Sequence, residues 1–322
     1  MCQRQESLDD HTILSRLKLQ DSNDKEYAKD MIHLATTDAT LVAEFAMKAC
    51  SVALGSDEHS LENFYGFNLI ELISKDVSRE VLNLDDLTSL DGVNDRTMSL
   101  IQGLIGPSLS DLNLNVKGCK NLTDECLYKL QFTEGLKRLH FNIGSGKNIS
   151  NDAIIHLASI IPKQLEYLFL DVSGFKTPSG KYLPVRYNNH LQALAESAPR
   201  SLKEFELITH LHHSEDGQGL LQLVKKLPDG LKRLSFVFEV WGGFSGDILP
   251  ILGAYLQPSL EEFSFIVYNC NHIEDDELKS FAQEVKKLKS LKKFYLHSRS
   301  HGDSGFYLTR TITTLDDLFV HI

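Results

Sequence analysis

The chain has 322 residues, 42% hydrophobic and 24% charged, with a formal net charge of −11; it can bury a long core, and it lacks the basic footprint that phosphate backbones require, so nucleic acid is not an expected partner. No run of about 18 apolar residues offers a membrane span, and the opening MCQRQESLDD lacks the apolar core of a signal peptide, so a cytoplasmic protein is expected. Five widely spaced cysteines with no CxxC pair, Cys2, Cys50, Cys119, Cys126 and Cys270, point to reduced thiols and not to disulfides or a zinc site.

Residues 1–78 hold 7 of the 33 Lys and Arg but 14 of the 44 Asp and Glu, and no proline. Four stretches, HTILSRLKL, DKEYAKDMIHLA, ATLVAEFAMKACSVAL and SLENFYGFNLIELISK, carry apolar residues at helical spacing, with Asp9, Asp24, Asp38 and Ser60 near their starts as N-cap candidates. The segment is expected to be a small all-α domain that caps the core following it.

From residue 79 onward a pattern Leu-x-x-apolar-x-apolar recurs: LSDLNLNV from Leu109, LKRLHFNI from Leu136, LEYLFLDV from Leu165, LKEFELIT from Leu202, LKRLSFVF from Leu231, LEEFSFIV from Leu260 and LKKFYLHS from Leu291. The leading leucines are 27, 29, 37, 29, 29 and 31 residues apart. A degenerate copy with Leu82 and Leu84 precedes them, and LDDLFVHI from Leu315 is expected to close the series as a last strand, giving about nine units over 79–322. Counted from the leading Leu, positions 4, 6 and 8 are apolar in almost every unit, Thr209 and Ser298 at position 8 being the exceptions, the period of two that buries one face of a strand. Positions 3, 5 and 7 then point to the other side.

Pro107, Pro162, Pro199, Pro228 and Pro258 sit two or three residues before a leading Leu, where a residue unable to continue a helix releases the chain into a strand. After the strand, NLTDECLYKL, NISNDAIIHL and HIEDDELKSF run in parallel. Each has an apolar anchor (Leu122, Ile149, Ile273), a polar helix start and an amphipathic helix.

On these motifs the chain resembles the leucine-rich-repeat superfamily, in its long-repeat ribonuclease-inhibitor-like and cysteine-containing branch. The LxxLxL strand, the L-T-D-x-x-L helix start and Cys119 and Cys270 at position 11 carry the likeness over about three quarters of the chain. It departs from that pattern in its apolar position 8 and in units without the turn Cys or Asn. The resemblance implies an α/β fold: a right-handed solenoid with a parallel concave sheet and convex helices. It also implies a non-enzymatic scaffold for a protein partner. Cysteine-containing repeats often follow an F-box in ubiquitin-ligase adaptors, but the Leu-Pro opening of an F-box is missing from the N-terminal domain here. A related repeat family activates small GTPases, whose catalytic positions have no identifiable counterpart in this chain. A subunit of a larger assembly and a bacterial effector remain equally open roles.

The strand register nominates partner-binding residues on the concave columns: Arg138 and Arg233, His140, the aromatic Tyr167, Phe169 and Tyr295, and an apolar stripe of Ile208, Val237 and Ile266. The longest interval contains GFKTPSGKYLPVRYNNH, a basic and aromatic insertion at 174–190 that adds Tyr182 and Arg186. The cluster THLHHSED, with His210, His212 and His213, has imidazoles and carboxylates but no second fixed-spacing ligand set, so no metal is expected. No GxSxG, P-loop or HExxH motif occurs, and no enzyme or cofactor is expected. Because the sequence stops on its final repeat pattern, either the segment His301–Thr314 folds back to cover the C-terminal edge or another chain docks there, and the little apolar surface of LTRTITT favours the docking edge.

Overall fold

The structure, a computed structural model, describes residues 79–84, 87, 93–146, 148–174, 188–212, 216–241, 248–270, 273–301 and 307–320. The helices expected within 1–78 and their four N-cap candidates lie outside the described residues. Strand and helix alternate as β1 (Val81–Leu84), α1 (Asp95–Leu104), β2 (Asp111–Asn115), α2 (Asp124–Tyr128), β3 (Arg138–Asn142), α3 (Asn151–Ser159), β4 (Tyr167–Val172) and α4 (Asn188–Ser197). They continue as β5 (Glu204–His212), α5 (Asp216–Lys226), β6 (Arg233–Trp241), α6 (Ile248–Tyr255), β7 (Glu262–Cys270), α7 (Asp275–Val285), β8 (Lys293–His301), β9 (Tyr307–Ile312) and α8 (Leu315–Phe319).

The nine strands form one sheet in sequence order. Strands β1 to β8 are parallel, and position 3 aligns Asp111, Arg138, Tyr167, Glu204, Arg233, Glu262 and Lys293 across seven consecutive strands; the register shifts at the end of β7, between Tyr268 and Cys270. Each leading leucine is buried, and its N–H donates to the carbonyl three residues earlier, at 3.0–3.3 Å for Pro162, Pro199, Pro228, Gln257 and their equivalents. The prolines thus occupy the first or second position of a tight turn that delivers the chain to the strand. Positions 4, 6 and 8 are buried in the seven units led by Leu109 to Leu291, Leu234, Phe236 and Phe238 for example, and pack with Leu and Ile from the helices into one continuous core.

The helix starts are stitched from coil to coil. The Asn94 side chain caps α1, accepting from Arg96 and Thr97 N–H. The next residue, Asp95, accepts from the N–H (2.8 Å) and hydroxyl (2.6 Å) of Thr123, the cap of α2. Asp124 repeats the arrangement on Ser150, the cap of α3, with both distances 2.6 Å. The Asp of the L-T-D motif therefore holds the following coil's N-cap, and the caps are satisfied as a ladder.

The end of the chain differs from the expectation. LDDLFVHI does not form a last parallel strand: Leu315–Phe319 is helix α8, capped by the Thr314 hydroxyl, which accepts from Asp317 N–H at 3.0 Å. The ninth strand is Tyr307–Ile312, and it runs antiparallel to β8, pairing Leu296 with Ile312 and His301 with Tyr307. Ile312 and Leu318 are buried against the core. Of the two alternatives the fold-back is the one found, and the docking edge is not: β9 occupies the edge of β8 from Leu296 to His301, and α8 packs its Leu318 against the end of the core.

Candidate partner-binding face

Helices and buried side chains occupy one side of the sheet, and the half-buried odd positions form the other. On that second face lies a groove of about 820 Å³ running across β4 to β8. It is lined by position 3 (Tyr167, Glu204, Arg233, Glu262, Lys293) and position 5 (Glu206, Ser235, Ser264, Tyr295), and Thr313–Asp316 closes one end. The sequence nominated Tyr167, Arg233 and Tyr295 among these. It did not nominate Glu206, the two serines or the 313–316 wall. The wall's one signal was the capping pattern of Thr314 followed three residues later by Asp317.

The charges of position 3 are spent on one another. Arg138 pairs with Asp111 at 3.4 Å and lies over the Tyr167 ring, 4.2 Å from its centroid. Arg233 bridges Glu204 at 3.3 Å and Glu262 at 3.1 Å, and Lys293 reaches Glu262 at 2.6 Å. A second ladder runs beside it at position 2, with Lys203 on Glu166, and with Lys232 (3.1 Å) and Lys292 (2.6 Å) on Glu261. The Lys203 hydrogen bond holds the Glu166 carboxyl below the ordinary carboxylate value, and the bonds from Lys292 and then Lys232 do the same for Glu261. These pairs are solvated and fix register more than they stabilise.

Position 5 is organised differently. His140 and Phe169 stack with centroids 3.9 Å apart and planes within 7°. Next to Phe169 in the ladder comes Glu206, then Ser235, Ser264 and Tyr295. Burial alone pushes the Glu206 carboxyl above its ordinary value, and that carboxylate, after loss of solvent, raises the neighbouring Tyr167 hydroxyl in turn. Among the described residues no hydrogen bond or ion pair reaches Glu206.

In position 7 Ile208, Val237 and Ile266 stand side by side in register, as expected, but half-buried and outside the groove's lining. The first three members of that column are Asn115, Asn142 and Asp171, whose side-chain oxygens accept from the N–H two residues on: Lys117 at 3.2 Å, Gly144 at 3.1 Å and Ser173 at 3.0 Å. Asp171 is fully buried, takes the Ser173 hydroxyl at 2.6 Å as well, and is reached from two coils away by the Lys117 ammonium at 3.0 Å. Tyr182 and Arg186 lie outside the described residues. So do His213 and the side chains of His210 and His212. Among the described residues no three His, Cys, Asp or Glu side chains gather to hold a metal ion, and no helix is long and apolar enough to cross a membrane.

One strand and one helix per coil, with eight parallel strands side by side in sequence order, make a strand-and-helix solenoid, the fold that the resemblance to leucine-rich repeats implied. No protein-family model and no curated protein matches the chain. Among solved structures it is similar to a leucine-rich repeat-containing protein, LegL7, from Legionella pneumophila, at 13% identity over 77% of this chain and 83% of that one, with a TM-score of 0.36.

Proposed function

We propose that the chain is a non-enzymatic scaffold that grips a protein partner on the open face of its sheet. The observation that carries this reading is the groove: side chains from five successive strands line one continuous recess on the face opposite the helices. A surface built by repetition across strands about 4.8 Å apart suits an extended protein segment better than a small molecule. The insertion at 174–190, with Tyr182 and Arg186, is part of the proposed surface, and cytoplasmic residence is part of the same proposal, supported by the buried free thiols of Cys119 and Cys126. A subunit of an assembly, a bacterial effector and a ligase adaptor would all use such a face. The identity of what is captured separates them.

The test is quantitative affinity capture with the full chain and with an Ile208→Lys, Val237→Lys double variant. Both positions are half-buried on the open face, and lysine has no acceptor with which to form the strand-ending turn, so the variant should keep its circular dichroism and lose the partner. Undiminished capture by a folded variant would refute the reading.

A further inference from the structure

Glu206 is out of place in its surroundings. Every other acid of the groove's strand positions has a cation: Glu204 and Glu262 share Arg233, and Glu262 also holds Lys293. Glu206 has none among the described residues, and it is half-buried in a recess whose floor beyond it consists of two serines. A carboxylate deprived of solvent and given no partner is costly unless something else supplies the partner.

The neighbours indicate its chemistry. Phe169 adjoins Glu206 on β4, with its stacking partner His140 on the far side. Ser235 and Ser264 adjoin it on β6 and β7, small residues that leave space above the sheet and offer hydroxyls. Tyr295 closes the row on β8. We infer that the recess formed by Glu206, Ser235 and Ser264 between Phe169 and Tyr295 receives a basic side chain of the partner protein, with arginine preferred over lysine. A guanidinium offers five donors in a plane, enough for a carboxylate and two hydroxyls, and its flat face stacks on an aromatic ring. An ammonium satisfies the carboxylate but not the flat row of acceptors. Residues 79–322 hold 26 Lys and Arg against 30 Asp and Glu, a small acidic excess that favours a basic segment in the same sense. This inference rests on the scaffold reading and gives that scaffold's partner its chemistry.

The test uses the full chain labelled with carbon-13 at the glutamate carboxyl, the Glu206 signal being assigned by its loss in Glu206→Gln. Nα-acetyl-arginine amide, Nα-acetyl-lysine amide and the neutral isostere Nα-acetyl-citrulline amide are added at millimolar concentration across a pH series. The titratable groups around the carboxyl are Tyr167 on β4, Glu204 on its own strand, Arg233 on β6 and Glu262 on β7, so their signals are followed in the same spectra where they carry the label. The arginine probe should move the Glu206 signal and lower its titration midpoint, the lysine probe should do so less, and citrulline should do neither. Ser264→Val, which fills the recess and leaves Glu206 in place, should abolish the response.

Equal effects of arginine and citrulline would overturn the inference. So would a free protein whose Glu206 already titrates at or below the ordinary carboxylate value, because a cation of the chain itself, Lys181 or Arg186 for instance, would then hold it. A Glu206 signal that shifts with protein concentration alone would assign the recess to a second copy and overturn it too. Partner capture that is lost in the Ile208→Lys, Val237→Lys variant, together with a Glu206 blind to arginine, sinks the inference and leaves the scaffold standing.

Discussion

Replacing Gly144 with alanine probes the buried knot at the ends of β3 and β4. A Cβ there would lie 2.7 Å from Asp171 Oδ1 and 2.9 Å from its Cγ and Oδ2, against an ordinary approach of about 3.5 Å. The carboxylate would have to retreat by roughly 0.6–0.8 Å. It has little freedom to do so, since Ser173 N–H, the Ser173 hydroxyl and Lys117 hold it at 3.0, 2.6 and 3.0 Å. Overpacking costs about 1–3 kcal/mol and a spoiled buried hydrogen bond about 1–3 kcal/mol, so a loss of about 2–6 kcal/mol is expected. Urea unfolding followed by circular dichroism measures it, with Gly135→Ala as the control because its nearest atoms would be at 3.6 and 3.9 Å, ordinary contact. All three close atoms at Gly144 belong to Asp171. In an Asp171→Ala background the same substitution should therefore cost under about 1 kcal/mol. A loss below about 1 kcal/mol in the parent, or an undiminished loss in the double variant, would refute the steric account.

Asp124→Ala removes the acceptor of both Ser150 donors and should destabilise by about 1–3 kcal/mol, whereas the exposed Asp152→Ala, one turn away, should cost under about 1 kcal/mol; equal losses would deny the cap-to-cap ladder. Burial, with Asp95 and then Asp124 nearby, pushes the Cys126 thiol up to about 12, so iodoacetamide at pH 8 should leave it intact in the native chain and modify it in urea, as read by peptide mass. For Glu206 the folded value lies above the unfolded one. Its protonated form favours the fold below the ordinary value of 4.5, and that contribution is lost as pH rises through the raised value. Glu206→Gln should accordingly melt higher than the parent near pH 7, with the gap closing toward pH 4; a lower melting temperature at neutral pH would show that the carboxylate has a stabilising partner.

The strands were legible because a period of two repeated in register leaves one assignment for each residue, and the helix starts because Thr123-Asp124 and Ser150 announce caps. The chain's end was not legible by spacing. Leu315, Leu318, Phe319 and Ile322 fit a helix at i, i+3, i+4 and i+7 as readily as Leu315, Leu318 and Val320 fit the strand template, and only the Thr314–Asp317 cap separates the two. β9 was hidden for a different reason: YLTRTI shares nothing with the repeat, and an antiparallel return is fixed by pairing with β8, a tertiary choice. In the groove, the alternating signs of position 3 could be written down from the sequence. That Glu206 goes unpaired depends on the neighbours Ser235 and Ser264 at position 5 and on the saturation of Arg233 by two other acids, which is a matter of distances.

Position 7 links the two halves of the sheet to the site. Where it is Asn115, Asn142 or Asp171, the side chain accepts its own turn's N–H and the strand ends after five or six residues; where it is Ile208, Val237 or Ile266, no such turn can form, and β5, β6 and β7 run to nine. β-branched residues prefer the extended backbone that Asx turns interrupt. Over the same strands the core changes from mostly leucine to a run of phenylalanines at the same buried positions, with Phe205, Phe236, Phe238, Phe263 and Phe265 in ring contact at 5.3–6.3 Å. The groove lies across this wide half. The apolar column at position 7 is therefore first a device that lengthens strands; in the proposed binding mode it would carry the open face beyond the groove, where a partner anchored at Glu206 would next make contact.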